Sequence, residues 1–367
     1  MHNKAGLYLH IPFCEKKCAY CDFYSVLKTE EVMKNYISAL NLEIMKWGGR
    51  IDRPIDTVYI GGGTPSLLCD RIKPLVEQIK KSFKIEKDAE ITVELNPNAS
   101  DDFLTAAKAS GVNRISIGAQ SASDTQLKML GRNHTALDTE NIVRRVRKLG
   151  FDNISLDLMI CLPSSDLVSL KKDIDFICEL DPEHISAYIL KLEVNTRLFR
   201  DKSLRMPDED KSAEQYLFMC KYLEEKGYLQ YEISNFCKKG RESRHNLKYW
   251  RLDEYIGIGP SAHSFFEGKR FYYPRDLKAF IRDPQILPDG MGGDEQEKLM
   301  LSLRLKEGID LNEYINQHHV RLEKELLKLK EVGLIEIYGT RISLTPQGML
   351  VSNSIITHIT ELIYENL

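Results

Sequence analysis

The first 190 residues alternate six short apolar runs with five longer amphipathic stretches, and this pattern constrains the fold most. Short apolar runs predict buried β-strands, and the amphipathic stretches between them predict helices. Parallel neighbours in a sheet require crossover connections, so six such units predict a parallel sheet, either open or curved into a partial barrel. The predicted strands are residues 7–11, 57–60, 90–95, 114–118, 154–160 and 184–190, and the predicted helices are residues 31–47, 67–81, 102–109, 137–149 and 167–180. Asp102 and Asp166 are predicted helix starts, and Gly111 and Gly150 are predicted stops.

The pattern changes after about residue 200. A helix over 213–226, a strand over 228–234 and a glycine- and aromatic-rich stretch over 238–274 predict an added layer. From residue 294 onward the order is three helices, two short strands around Gly339 and a final helix, which is winged-helix-like. The predicted fold class is therefore α/β, a partial (βα)6 TIM-like barrel with a C-terminal helical, winged-helix-like domain. The predicted domains are residues 1–200, 201–290 and 291–367.

The charge distribution argues against nucleic acid as a partner. The chain carries 51 Lys and Arg against 54 Asp and Glu, a net charge of −3. Residues 294–367 alone carry 8 basic and 12 acidic side chains, which opposes binding of phosphates by the winged-helix-like domain. For the winged-helix-like domain, a docking or lid role is favoured instead. The first residues lack the long apolar core of a signal peptide and no apolar run is long enough to span a membrane, so a cytoplasmic protein is predicted.

Three of the eight cysteines, Cys14, Cys18 and Cys21, form a C-x3-C-x2-C tract directly after the first predicted strand. A tight thiol cluster in a reducing compartment indicates a metal or iron–sulfur site rather than disulfides. Three thiolates on a four-iron cluster leave one iron open to an outside ligand. The alternative is a structural zinc site that recruits His10 or Asp22 as its fourth ligand. The other five cysteines are predicted to be buried hydrophobes.

Polar residues recur at or just past the ends of successive predicted strands, where barrel sites are built. Gly61, Gly62, Gly63 and Thr64 follow the second strand, and glycines there allow close backbone approach to a ligand. Glu94, Gln120 and Asp157 lie on or just after strands three, four and five, and Arg132 could meet a carboxylate through a bidentate fork. The sequence therefore predicts one ligand cavity at this end of the sheet.

The cysteine tract in this position resembles that of the radical SAM superfamily, in which S-adenosylmethionine caps the free iron. Three segments together resemble the HemW-type haem chaperones, close relatives of oxygen-independent coproporphyrinogen III dehydrogenase: Tyr8-Leu-His-Ile-Pro-Phe-Cys14, Gly61-Gly-Gly-Thr-Pro65 and His245-Asn-Leu-Lys-Tyr-Trp250. The resemblance covers essentially the whole chain. It implies a barrel of the radical SAM type, a [4Fe-4S] cluster on Cys14, Cys18 and Cys21, bound S-adenosylmethionine, and haem. The positions that it assigns to S-adenosylmethionine are Tyr8, Tyr20, Gly62, Gly63, Thr64, Glu94, Gln120, Arg132 and Asp157.

Two departures from the dehydrogenase favour the chaperone. The dehydrogenase carries a further cysteine two positions past the tract, where this chain has Phe23, and it has a long arm before the cluster, where this chain has 13 residues before Cys14. Conversely, the tract around His245 offers an imidazole for iron, with Asn246 to orient it and Tyr249 and Trp250 to cover a porphyrin face. His263 is the reserve ligand.

The sequence thus predicts a cytoplasmic haem chaperone that passes haem to an acceptor haemoprotein, a membrane-associated respiratory enzyme being one candidate. An electron donor for the cluster is the other expected partner, and no catalytic residue is assigned. Two alternatives stay open: an enzyme that oxidatively decarboxylates coproporphyrinogen III, and a zinc-binding interaction protein.

Overall fold

The structure is a computed structural model that describes residues 4–314 and 320–364. Its strands are β1 (Ala5–Ile11), β2 (Phe13–Cys14), β3 (Val26–Leu27), β4 (Ile55–Gly62), β5 (Ile85–Leu95), β6 (Arg114–Gln120), β7 (Ile154–Ile160), β8 (His184–Ile189), β9 (Leu229–Gln230), β10 (Asn235–Cys237), β11 (Tyr255–Ile258), β12 (His263–Phe266), β13 (Lys269–Tyr272), β14 (Leu287–Met291), β15 (Ile309–Asp310), β16 (Ile335–Tyr338) and β17 (Arg341–Leu344). Its α-helices are α1 (Glu30–Gly48), α2 (Ile72–Ser82), α3 (Asp101–Ser110), α4 (Asp124–Met129), α5 (Ala136–Lys148), α6 (Leu167–Glu179), α7 (Arg197–Arg200), α8 (Glu209–Glu225), α9 (Arg244–Trp250), α10 (Leu277–Arg282), α11 (Glu295–Ser302), α12 (Val320–Glu331), α13 (Pro346–Leu350) and α14 (Ser352–Tyr364). Short 3-10 helices cover Pro65–Arg71 and Leu311–Glu313.

Six parallel strands form the centre of a twelve-stranded sheet, in the order β1-β4-β5-β6-β7-β8. Each strand is linked to its neighbour by at least one helix, so the predicted βα array is confirmed. The array is open, because β1 pairs on its outer side with β11 and β8 pairs with β10. The fold is therefore the α/β class that the sequence predicts.

The strands of the array are buried on both faces. β7, for example, reads Ile-Ser-Leu-Asp-Leu-Met-Ile and exposes none of its seven residues, as expected of a parallel strand covered on two sides. Local signals set the helix ends: Asp166 caps α6 through a capping box, and Gly111 ends α3 at φ +90°. The predicted start at Asp102 is two residues late, because the Ser100 side chain accepts the capping hydrogen bond from the Phe103 amide.

Strands from residues 201–290 extend the sheet at both edges, instead of forming the added layer that the sequence predicts. β10 and β9 continue the sheet beyond β8, and β11 to β14 continue it beyond β1. The single strand predicted over 228–234 is wrong: the chain turns back between β9 and β10, where the Tyr231 amide donates to the Asn235 carbonyl. The predicted domain boundaries at 200 and 290 stay predictions.

The C-terminal part is winged-helix-like, as predicted, but its elements do not follow the predicted order of three helices, two strands and a final helix. α11 leads into β15, α12 follows, and β16 and β17 form a hairpin around Gly339 before α13 and α14. These three strands form a separate antiparallel sheet in the order β15-β17-β16. Residues 315–319, within this stretch, lie outside the described residues. No helix in the described parts of the chain is long and apolar enough to cross a membrane.

Candidate cofactor cavity

The segment that carries Cys14, Cys18 and Cys21, called the cysteine loop, follows β1 and is anchored at Ala19. The Ala19 amide donates to the Leu130 carbonyl at 2.8 Å, and the Ala19 carbonyl accepts from the Leu198 amide at 2.8 Å. Ala19, Leu130 and Leu198 are all buried in one apolar cluster. The loop is therefore fixed between the segments after α4 and at α7, with Cys18 and Cys21 on either side of this anchor.

The glycine turn after β4 packs directly on the cysteine loop. A Cβ on Gly62, whose φ is +109°, would lie 2.6 Å from the His10 ring, and a Cβ on Gly63 would lie 2.6 Å from the Phe13 carbonyl. The Thr64 amide donates to that same carbonyl at 2.7 Å. Only glycine fits this contact, so the turn positions Thr64 beside the first cysteine.

One cavity, with a volume of about 130 Å³, collects the predicted residues. Its lining includes Cys14, Cys18, Cys21, Tyr20, Gly62, Gly63, Thr64, Glu94, Gln120, Arg132 and Asp157. Tyr8 is the exception among the residues predicted to contact S-adenosylmethionine. Its hydroxyl is hydrogen-bonded to His10 Nδ1 at 2.9 Å, and it lines an adjoining cavity that shares Gly62 and Glu94 with the first. The individual contacts to S-adenosylmethionine stay predictions.

Two carboxyl groups give the cavity floor an unusual electrostatic character. Glu94 accepts from the Tyr59 hydroxyl at 2.7 Å and from the Gly62 amide at 3.0 Å, and burial raises its pKa. Burial, together with the nearby Glu94, raises the pKa of Asp157 to about 7. A ligand ammonium between these carboxyls would offset the cost of burying their charge.

Arg132 supplies the opposite charge on the same wall. Its guanidinium donates to the Asn96 side chain at 2.8 Å and to the Gly118 carbonyl at 2.7 Å, and it lies 3.6 Å from Cys18 Sγ. These contacts hold the side chain in one position between the thiols and the strand ends. The cavity thus offers a cation for a ligand carboxylate beside acids for an ammonium.

Several cavity residues were missed by the sequence analysis. Asn96 follows β5 directly, Gly118 lies near the end of β6, and Tyr188 on β8 donates to the Gln120 side chain at 3.0 Å. The signal that found Glu94 also applies to them, because each lies at the carboxyl end of a central strand. Lys16 and Lys17 line the cavity from the cysteine loop, and nothing in the strand pattern points to them.

The donor set of the cavity fits an iron–sulfur cluster. All three cysteines are free thiols, and the Thr64 hydroxyl lies 3.6 Å from Cys14 Sγ as a donor. Together with Arg132 at Cys18, it provides the hydrogen bonds to sulfur that tune such clusters.

The zinc alternative lacks its predicted fourth ligands. Both ring nitrogens of His10 are engaged, one with the Tyr8 hydroxyl and one with the Tyr24 carbonyl, and Asp22 faces Arg275. Across residues 4–314 and 320–364, no three His, Cys, Asp or Glu side chains are placed to hold one metal ion. A four-iron cluster has a different requirement, because each thiolate binds a different iron.

The predicted haem tract lies at the opposite end of the sheet. It forms α9, in which buried His245 contacts Thr57, near the start of β4, through Nδ1 at 2.9 Å. Its Nε2 is hydrogen-bonded to the Tyr249 hydroxyl at 2.8 Å. Because both nitrogens are engaged, this packing does not present the imidazole to haem. The assignment of His245, Asn246, Tyr249 and Trp250 to haem stays a prediction that this packing opposes.

The fold and the cysteine-lined cavity define a radical SAM protein. A family model described as the radical SAM superfamily matches residues 8–177, and one described as the HemN C-terminal domain matches residues 296–351. Among solved structures, that of coproporphyrinogen III oxidase (HemN) from Escherichia coli, a radical SAM enzyme, superimposes with a TM-score of 0.81. It is 21% identical and covers 99% of this chain and 90% of its own, so it shows the fold.

Proteins related in sequence identify the family within this superfamily. The heme chaperone HemW of Lactococcus lactis is 35% identical over 95% of this chain and 95% of its own length. The heme chaperone HemW of Bacillus subtilis is 35% identical over 95% of this chain and 97% of its own. The chain belongs to the HemW family. As in the radical SAM superfamily generally, membership implies a [4Fe-4S] cluster and S-adenosylmethionine as cofactors.

Proposed function

We propose that this chain is a haem chaperone, which binds haem and delivers it to an acceptor haemoprotein. The observation that carries the proposal is the end-to-end match to proteins named heme chaperone HemW, at 35% identity over 95% of this chain. A match of that extent includes the C-terminal part as well as the cofactor cavity.

Cys14, Cys18 and Cys21 would hold the cluster, and the cavity beside them would hold S-adenosylmethionine. When bound, the two together supply one-electron chemistry. The protein's own part is to orient and to shield: Arg132 would bind the ligand carboxylate, and Glu94 and Asp157 would face its ammonium. An electron donor for the cluster and an acceptor for the haem are the partners that this function requires.

The alternative is oxygen-independent coproporphyrinogen III dehydrogenase, and the overall similarity of the fold to coproporphyrinogen III oxidase supports it. The side chain at the cavity mouth weighs against it. Phe23 stands where the decarboxylating relative has a cysteine, and it is 67% exposed beside the cluster ligands. The chaperone is therefore the favoured function.

One anaerobic experiment tests both functions on the same sample. The full chain is reconstituted with iron and sulfide, titrated with haem, and then supplied with S-adenosylmethionine, a reductant and coproporphyrinogen III. We expect stoichiometric haem binding, transfer of that haem to a haem-free acceptor protein, and no protoporphyrinogen. Absence of haem binding would contradict the proposal, and release of protoporphyrinogen would establish the enzyme instead.

A further inference from the structure

A fully buried arginine lies beneath the cofactor cavity. Arg114 is the first residue of β6 and is 2% exposed. Among residues 4–314 and 320–364, no carboxylate lies within ion-pair distance of its guanidinium, and its Nε has no hydrogen-bond partner. A guanidinium keeps its proton at any ordinary pH, so this positive charge stays inside the protein. Because a buried charge is costly unless an opposite charge compensates it, the compensation must come from beyond direct contact.

The register of the sheet places Arg114 on the same face as the carboxyls of the cavity floor. On β5, Thr92 is paired with Arg114, and Glu94 is paired with Ser116, which lies two positions further along β6. The Ser116 hydroxyl is directed to the Asp157 carboxylate of β7 at 3.5 Å. Side chains two positions apart on a strand share a face. Arg114 therefore lies on the face of Glu94 and Asp157, one step nearer the amino ends of the strands.

The other polar groups at this depth do not supply the missing negative charge. Burial, with the charge of Arg114 adding to it, lowers the pKa of His184 and of His245, so both imidazoles are neutral. Burial raises the pKa of Tyr231, so its hydroxyl is neutral as well. The Glu90 carboxylate accepts from the first two backbone amides of α9, which already compensate it. The carboxyls that remain are the two of the cavity floor.

The charges of the floor balance only if Arg114 is counted. Glu94 and Asp157 are both acidic, and the charge of Arg114 opposes the rise that burial causes in the pKa of each. Two carboxylates above one guanidinium leave a single negative charge, which one ligand ammonium neutralises. The other titratable groups that face the pair are Arg132 and five tyrosines that burial keeps neutral, Tyr8, Tyr20, Tyr59, Tyr188 and Tyr249.

We infer that Arg114 is a positioning residue for S-adenosylmethionine: its charge keeps Glu94 and Asp157 ionised together, so that both carboxylates bind the ligand ammonium. Arg114 does not line the cavity and acts through the two carboxyls. The inference rests on S-adenosylmethionine binding in this cavity, which is one part of the proposed function, and not on the delivery of haem.

The first test compares Arg114→Met, which removes the charge, with Arg114→Lys, which keeps it. Each full chain, with its cluster reconstituted, is titrated with S-adenosylmethionine by anaerobic equilibrium dialysis between pH 6.5 and pH 8.5. The ratio to the affinity of the unmutated chain at each pH cancels the titration of the ligand itself. We expect Arg114→Met to bind roughly fivefold or more weakly at pH 6.5 and within about twofold at pH 8.5, where the carboxyls ionise without help.

Two controls accompany this titration. Arg114→Lys should follow the unmutated chain at pH 6.5, because the charge is retained. Arg270→Met removes an arginine that is paired with Glu297 at 2.6 Å, outside the residues of the cavity, and should match the unmutated chain at every pH. A weaker affinity of Arg114→Met by the same factor at every pH would mean that the side chain only supports the packing, and the inference would be overturned.

Infrared difference spectroscopy gives a readout on the unmutated chain, so the test does not depend on how well a variant folds. The pKa of Asp157 is about 7, so part of this group is protonated at pH 7 before the ligand binds. Binding of S-adenosylmethionine should remove a carboxylic acid band from the unmutated chain, and Arg114→Met should retain one. If the unmutated chain binds the ligand without losing such a band, Arg114 does not have this role, although the cavity assignment stands. If it binds no S-adenosylmethionine, the cavity assignment falls as well, while haem delivery is judged by its own assay.

Discussion

The three cysteines that line the cavity have different hydrogen-bonding environments. Cys14 faces the Thr64 hydroxyl and Cys18 faces the Arg132 guanidinium, whereas Cys21 lies beyond the Ala19 anchor. The thiols are therefore not interchangeable in their surroundings, although a cluster would need all of them. Three protein ligands are already one fewer than most clusters have, so no thiol is redundant.

The first prediction follows from that lack of redundancy. Cys14→Ala, Cys18→Ala or Cys21→Ala should each prevent stable cluster assembly, because two protein thiolates would leave the cluster labile. Iron and sulfide analysis after anaerobic reconstitution measures the result. Cys178→Ala is the matched control, since Cys178 is a half-buried thiol on α6 that does not line the cavity. A full iron and sulfide complement in any of the three variants would contradict the cluster assignment.

The second prediction concerns Phe23, whose exposed ring is at the cavity mouth. Phe23→Cys restores the residue type of the decarboxylating relative without adding the rest of a substrate site. We expect no protoporphyrinogen from the variant, and an unchanged iron and sulfide content. Product analysis with coproporphyrinogen III, S-adenosylmethionine and a reductant checks it, with Phe23→Leu as the size control. Product from Phe23→Cys alone would show that one residue separates the two functions.

At the scale of the element, α9 joins the start of the sheet to the C-terminal part. The Glu90 carboxylate accepts from the backbone amides of Arg244 and His245, so it neutralises the first turn of the helix. Lys248 forms an ion pair with Asp56 at 2.8 Å, with both side chains largely buried. Trp250 lies under the guanidinium of Arg304. These contacts give structural roles to four residues of the helix, Arg244, His245, Lys248 and Trp250.

The third prediction separates that structural role from haem ligation. His245→Ala removes the imidazole and leaves the Thr57 and Tyr249 hydroxyls without their buried partner. The free energy of unfolding should fall by about 2–4 kcal/mol, measured by urea denaturation. Asn246→Ala, at a half-buried position of the same helix, should cost less. The haem absorption spectrum of the folded fraction of His245→Ala then separates the two roles: an unchanged Soret band would leave His245 with a structural role alone, and an altered band would make it the iron ligand as well.

The sequence correctly predicts the elements whose signals are local. Continuous apolar runs located the six central strands, and the rule that sites lie at strand ends located Glu94, Gln120 and Asp157 in one cavity. The patterns failed where distant residues decide. Nothing local shows that the chain reverses after Tyr231, or that His245 meets Thr57 from 188 positions away. The sequence around a histidine that is flanked by aromatic residues does not show whether that histidine faces haem or packs against the amino-terminal ends of the strands.

At the scale of the whole molecule, the C-terminal part meets the sheet through the turn between β9 and β10. The Lys306 amide donates to the Tyr231 carbonyl at 2.9 Å, and Glu232 forms a bridge with Leu305. Glu232 is 1% exposed at this contact. An acidic side chain is thus buried at the contact between the β9–β10 turn and the C-terminal part. The stability of the protein at this contact therefore depends on pH.

The last prediction gives the sign of that dependence. Burial raises the pKa of Glu232 to about 7, although the nearby amides of Ser234 and Asn235 oppose the shift. Below its ordinary pKa the group is protonated in both the folded and the unfolded chain, so it has no effect. As pH rises toward 7, the unfolded chain releases the proton while the folded chain retains it, and the free energy of unfolding falls. Glu232→Gln cannot titrate, so its free energy of unfolding should match that of the unmutated chain near pH 4 and exceed it by about 3 kcal/mol at pH 8. Urea denaturation of both proteins across this range measures the difference, with the exposed Glu267→Gln as a control that should show none. A difference that is independent of pH would mean that Glu232 acts through its shape and hydrogen bonds rather than through its charge.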